Sequence, residues 1–173
     1  MKRLCLLRHA KSEWGNAAIE DHDRGLNKRG EKTAVFMADF MCENGFTPDT
    51  ILCSTAKRAR LTLGPLQDKL GDTANVCIED ELYLPMPDEI LERIQAVPDS
   101  SETVLVIAHN PGLEMLSIEL MKCDKPTQAR VQFEHFPTAS YVVYEFDCDC
   151  WTDVAKGSGR LMHFSKPRDL MEV

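Results

Sequence analysis

Two histidines and two arginines of this chain have the chemistry to engage an anion: the adjacent pair Arg8-His9, then Arg58, then His109. A neutral imidazole can act as a nucleophile or a hydrogen-bond donor. A guanidinium keeps its charge and offers a rigid fork of donors that matches the oxygens of a phosphate or a carboxylate. Taken singly, each residue has an ordinary structural reading. A histidine after a strand is commonly a packing residue, and Arg58 has basic neighbours in Lys57 and Arg60, as on a solvated helix face. His22 stands in Glu20-Asp21-His22-Asp23, which reads as a hydrated polar loop or, given further ligands, a metal site. Only convergence in space would give the four residues a joint role, and that depends on the elements that carry them.

Apolar runs of strand length alternate with helical patterns, the mark of an α/β domain with a largely parallel sheet. Residues 3–8 read as a first strand that hardly alternates and is therefore buried on both faces. Residues 28–44 read as a helix with Ala34, Met37, Ala38 and Met41 on one face, Asn27 as N-cap and Gly45 as its stop. A second strand follows at 50–53 and a second helix at about 55–70, which Pro65 should kink or split. A short third strand is expected at 76–78, and a helix opening at Pro87 and running to about Val97. The clearest strand covers 103–108, and a helix from Pro111 to about Lys122 comes next. Two more strands are expected at 141–146 and 160–164. Arg8-His9 and His109 thus end strands, and Arg58 begins a helix that follows one. In a parallel sheet these positions share one edge, where helix N-termini also favour anions.

The 173 residues suit one globular domain, and no repeat or linker divides them. Hydrophobic residues make up 43% and charged residues 28%, which excludes a wholly disordered chain. A net charge of −8 argues against a nucleic-acid binder, so an anion site here must concentrate its positive charge locally. Seven cysteines, several in apolar runs, read as buried thiols of a reducing compartment, and Cys148 and Cys150 alone make a poor zinc signature. No leader-like or membrane-spanning run is visible, so a cytoplasmic, membrane-free protein is expected.

Four segments resemble, in order, the signatures of the histidine phosphatase (phosphoglycerate mutase-like) superfamily. Leu6-Leu7-Arg8-His9-Ala10-Lys11-Ser12 is similar to its Arg-His-Gly motif, with alanine in place of the glycine. Leu26-Asn27-Lys28-Arg29-Gly30 resembles the segment that opens its first helix. Ser54-Thr55-Ala56-Lys57-Arg58-Ala59-Arg60-Leu61-Thr62 resembles its Ser-x-x-x-Arg-Ala-x-x-Thr element, and Ala108-His109-Asn110 its second-histidine motif. The short length, the Asp21-His22-Asp23-Arg24 loop and the ending Lys166-Pro167-Arg168-Asp169-Leu170 look like the SixA-type phosphohistidine phosphatases. The resemblance implies a three-layer α/β/α fold with a mostly parallel mixed central sheet and one antiparallel strand among the last. It also implies His9 as nucleophile, and Arg8, Arg58 and His109 as phosphate ligands, with no cofactor and no metal. Ser12, Asn16, Arg24 and Asn110 are secondary candidates for substrate binding. Arg24 would close the mouth of the site or form an ion pair with Asp21 or Asp23.

These residue types suit phosphoryl transfer through a phosphohistidine intermediate. Two guanidiniums can hold the equatorial oxygens, and the second histidine is expected to add a charge-assisted donor. The departure from the pattern is the general acid. Alignment on Leu82 puts Leu84 where many relatives carry a glutamate, and leucine cannot protonate a leaving group. Glu81 and Asp88 are the nearby carboxylates, with surface positions as the competing reading. A site without a strong acid suits phosphohistidine, whose imidazole can leave neutral once protonated, and the expected partner is a histidine-phosphorylated signalling protein. The alternatives are a small-molecule phosphomonoesterase, a phosphate-binding regulatory module without turnover, and a metal-dependent hydrolase built on His9, His22 and His109 with Asp21 or Asp23.

Overall fold

The computed structural model describes residues 1–171. Six strands, β1 (Lys2–Arg8), β2 (Thr50–Ser54), β3 (Asn75–Glu79), β4 (Thr103–Ala108), β5 (Tyr141–Phe146) and β6 (Arg160–Ser165), form one sheet in the order β3-β2-β4-β1-β5-β6. β2 pairs in parallel with β3 and β4, and β4 with β1. β5 runs antiparallel to both β1 and β6, so it is the strand reversed against the rest. The expected mixed sheet with one antiparallel strand is present.

Helices cover both faces. β1 shows why: Leu4 and Leu6 point into one apolar cluster while Cys5 and Leu7 point into the other, and all four are buried. The first cluster packs α3 (Pro87–Gln95) and α4 (Gly112–Leu120) on the sheet through Ile90, Ile94, Leu113 and Leu116. The second packs α1 (Lys28–Glu43) and α2 (Lys57–Leu70) through Met37, Met41, Leu63 and Leu66. The result is a three-layer α/β/α arrangement. Burial of a Leu or Met side chain contributes roughly 1.5–3 kcal/mol each, so the layers hold by their apolar faces rather than by surface ion pairs. The helices named here differ only at their edges from those expected, with two exceptions. Short helices at Pro126–Gln132 and Pro167–Met171 had no counterpart in the periodicity. Pro65 does not split α2, which runs unbroken past it. Leu61, whose carbonyl the proline cannot bond, is an exposed residue, so water can reach this part of the helix.

Capping and close approach fix the loops at the sheet's C-terminal edge. The Asn27 side chain accepts from the Gly30 amide at 2.8 Å, the expected N-cap of α1. Gly30 itself is required: a Cβ there would lie 2.0 Å from the Lys11 carbonyl oxygen. Gly112 plays the same part at α4, where a Cβ would lie 2.3 Å from the carbonyl of Pro85. Both glycines let a helix N-terminus press against a loop that borders the strand ends. All seven cysteines are free thiols. No helix among the described residues is long and apolar enough to cross a membrane.

Candidate active site

Register places the residues. Arg8 ends β1 directly beside Ala108, the last residue of β4, so His9 and His109 follow paired strand ends. The His9 amide donates to the carbonyl of Ala108 at 3.1 Å, and the two imidazole centroids stand 5.1 Å apart. β2 is the other neighbour of β4; it ends at Ser54, and Arg58 lies in the first turn of the helix that follows. Thr62 fastens that helix to the histidine loop, accepting from the Ala10 amide at 2.9 Å and donating to the Arg58 carbonyl at 2.7 Å. The buried Ala10 fits against this junction without the freedom of a glycine. Arg8, His9, Arg58 and His109 are therefore gathered at one edge, as their positions in the sequence predict.

The histidines are buried, His9 at 6% and His109 at 1% exposure. Nδ1 of His9 lies 2.7 Å from the Ala10 carbonyl oxygen, which can only accept, so the proton is assigned to Nδ1 and Nε2 keeps its lone pair. Nε2 of His109 lies 2.8 Å from the Ser54 hydroxyl, which also accepts from the Ala56 amide. Letting that hydroxyl donate to Nε2 assigns the His109 proton to Nδ1. Burial is the main cause that pushes the pKa of His9 down to about 4; the Ala10 contact opposes it, and the positive charges of Arg58, Arg8 and Arg24 add to it. His109 is pushed down to about 3, again mainly by burial, with His9 and Arg58 adding. The expected charge-assisted second histidine is thus a neutral donor in the free protein, because desolvation and two nearby guanidiniums disfavour its cation.

Three unpartnered donors lie at this edge. Nε of Arg8, Nε of Arg58 and Nδ1 of His109 are buried and have no partner among the described residues. Buried donors are ordinarily satisfied, and leaving one unmade costs about 1–3 kcal/mol. Their coincidence around His9 marks a place built to receive acceptor oxygens. Arg8 is held from behind by its Nη1 bond to the Phe136 carbonyl at 2.9 Å, which aims the guanidinium. Asn110 is turned away to Glu114 and the same carbonyl, both at 3.1 Å, so its amide group orients the Arg8 neighbourhood.

The remaining candidates separate clearly. Ser12 is buried, and its hydroxyl accepts from Nη1 of Arg24 at 2.6 Å. Arg24 also bonds Asp21 at 2.8 Å and lies 3.8 Å over the ring of Trp14, so the ion-pair alternative holds with Asp21. Asn16 is exposed and accepts from the Ala18 amide at 3.1 Å, a local turn on the wall of an open groove. That groove, about 1060 Å³, is lined by Ser12, Trp14, Asn16, Ile19, Asp21 and Arg24. Asp88 pairs with Lys156 at 2.6 Å and Glu81 is exposed; among the described residues no hydrogen bond or ion pair joins either to the histidines. His22 bonds the Thr55 hydroxyl at 2.8 Å, and no group of three or more metal-ligating side chains is assembled among the described residues.

The sequence singled out neither Tyr83 nor the bond of Asp21 to Arg58. Tyr83 packs edge-on against His109 at 5.6 Å and its ring lies 5.9 Å from the Arg58 guanidinium. Leu84, aligned with the relatives' glutamate, has a positive φ of 51° and is 53% exposed, which turns it out and Tyr83 in. Asp21 accepts from Arg58 at 3.0 Å and from the Tyr83 hydroxyl at 2.5 Å. The Tyr83 bond, with the two arginines, holds its carboxyl well below the usual carboxylate range. Burial, with Asp21 as acceptor, raises Tyr83 and keeps its hydroxyl protonated.

Residues 4–83 match the family described as "Histidine phosphatase superfamily (branch 1)". An uncharacterised protein of Mycobacterium tuberculosis is 35% identical over 165 residues, spanning 94% of this chain and 100% of the relative. Among solved structures, the SixA-type protein of Agrobacterium tumefaciens superposes with a TM-score of 0.80 at 30% identity, covering 96% of this chain and 98% of its own. The SixA-type protein of Nakamurella multipartitia superposes with a TM-score of 0.82 at 29% identity, covering 96% of each.

Proposed function

This chain belongs to the histidine phosphatase superfamily, and from that membership we propose that it removes phosphoryl groups through a covalent intermediate on His9, with phosphohistidine in a protein as its substrate. The observation that carries the reading is the set of buried, unpartnered donors on Arg8, Arg58 and His109 around the free Nε2 of His9. In this mechanism the Nε2 lone pair attacks phosphorus in line. The bond from phosphorus to the substrate's ring nitrogen breaks and its electron pair stays on that nitrogen. Because the substrate ring already carries a proton on its other nitrogen, it departs as neutral imidazole. His9, protonated on Nδ1 and phosphorylated on Nε2, is then a cationic ring, and the Ala10 carbonyl stabilises that charge. Water attacks the phosphorus next, and inorganic phosphate leaves as His9 returns to its neutral form. The arginines and the His109 Nδ1–H hold the equatorial oxygens throughout and supply the positive charge for the transferring group.

The preference for a nitrogen leaving group rests on the absence of a placed acid. Leu84 points outward, Glu81 and Asp88 have no contact with the histidines among the described residues, and Asp21, the carboxylate bonded to Arg58, is held ionised by three donors. The open groove beside the clamp, with Trp14 at 79% exposure, leaves room for a chain segment around the phosphorylated side chain. Both solved relatives described above bear the name phosphohistidine phosphatase SixA, which supports the same substrate class. A panel of a phosphohistidine protein, an aryl phosphate and an alkyl phosphate, each with wild type and His9→Ala, tests the reading. Turnover of the alkyl ester as fast as of phosphohistidine would sink the substrate assignment.

A further inference from the structure

The arginine clamp already holds an anion that belongs to the chain. Asp21 sits in a one-turn 3-10 helix, Asp21–Asp23, at the junction of the clamp and the groove. Its Oδ2 accepts from Nη2 of Arg58 at 3.0 Å and from the Tyr83 hydroxyl at 2.5 Å, and its Oδ1 accepts from Nη2 of Arg24 at 2.8 Å. Its main-chain oxygen takes Nη1 of Arg58 at 2.7 Å. One residue thus occupies both terminal nitrogens of an arginine expected to bind phosphate. The carboxylate is half exposed and faces the groove, so it is more than an internal strut.

A fixed negative charge here works against a substrate that is an anion and nothing else. A dianionic oxygen ester would enter a clamp partly neutralised by Asp21 and would feel the carboxylate's repulsion. A phosphoryl group on a protonated ring nitrogen brings its own positive charge, on the leaving-group side. We propose that Asp21 is a specificity-determining residue, favouring phosphoryl groups carried on a cationic nitrogen leaving group over dianionic oxygen esters. The inference rests on the phosphatase reading above and names what gives that site its substrate class. The carboxylate acts by favouring the ring-protonated, reactive form of the substrate; it donates no proton and forms no bond to phosphorus. When the phosphorus–nitrogen bond breaks, the pair passes to nitrogen and the ring leaves neutral.

The test compares kcat/KM for a phosphohistidine peptide and for p-nitrophenyl phosphate in wild type, Asp21→Asn and Asp21→Glu, at one pH and low salt. Neither leaving group needs a proton donor, so the charge on the leaving group is the variable. Removing the unit charge of a carboxylate bonded directly to Arg58 should shift the ratio by about tenfold or more towards the aryl ester. Asp21→Glu, which keeps the charge, should retain most of the wild-type preference. Thermal unfolding of each variant checks that it is folded. Equal losses on both substrates would overturn the proposal, because Asp21 would then only position Arg58. Equal gains would overturn it too, since Asp21 would only compete for the clamp. A wild type that hydrolyses neither substrate would instead refute the phosphatase reading itself.

Discussion

Lowering the pH is a perturbation whose outcome the buried histidines fix. Burial is the chief cause that pushes the His9 pKa down from its ordinary 6.5 to about 4 in the folded protein. At pH 5 an unperturbed imidazole would be only about 3% neutral, whereas His9 should be about 90% neutral and still nucleophilic. The acid limb of kcat/KM, corrected for the substrate's own ionisation, should therefore fall near pH 4. NMR titration of the His9 ring in the free protein reads the same quantity with no substrate present. Stability should respond with the opposite cost. Above about pH 6.5 folded and unfolded chains both hold neutral imidazoles, so these groups exert no pH effect there. As pH falls below that, the unfolded chain takes up protons that the folded one refuses, and stability is lost until the folded pKa values are passed. For His9 the shift from 6.5 to about 4 corresponds to roughly 3 kcal/mol, and His109, pushed to about 3, adds a loss of the same sign. A His9 ring that titrates near 6.5 in the folded protein would refute the burial argument.

Two further outcomes follow from the supporting residues. Ser54→Ala removes the hydroxyl that fixes the His109 tautomer, and should lower kcat by roughly ten- to a hundredfold with little change in KM; steady-state kinetics on any turned-over phosphate would show it, and an unchanged kcat would count against the assigned tautomer. Gly30→Ala drives a Cβ to 2.0 Å from the Lys11 carbonyl, so the loop carrying Ser12 must move; a loss of more than about 2 kcal/mol in denaturant unfolding is expected, and a neutral result would show that the contact relaxes freely.

Much of this could be read from the residues, for physical reasons that also set the limits. Strands β1 and β4 are continuous apolar runs because both faces are covered by helices, so their ends, and with them His9 and His109, could be located within a residue. Arg58 followed from the helix after β2. Asp21 and Tyr83 did not follow. An aspartate in Asp-His-Asp has every local reason to be hydrated, and only the fold brings Arg58, 37 residues on, to its carboxylate. Tyr83 is turned inward by a left-handed Leu84, a conformation that an ordinary aliphatic residue gives no sign of adopting. Pro65 misled for the complementary reason: the rule against helix prolines weighs a lost bond, and at the exposed Leu61 water can replace it.

The proposed reaction requires that His9 become phosphorylated. Rapid acid-free quenching of wild type with a phosphohistidine donor, followed by intact-mass and fragment analysis, measures that directly. One added phosphoryl group is expected, on His9, labile to acid, stable to alkali and missing from His9→Ala. Turnover by wild type with no such adduct at the earliest times, or undiminished turnover by His9→Ala, would contradict it.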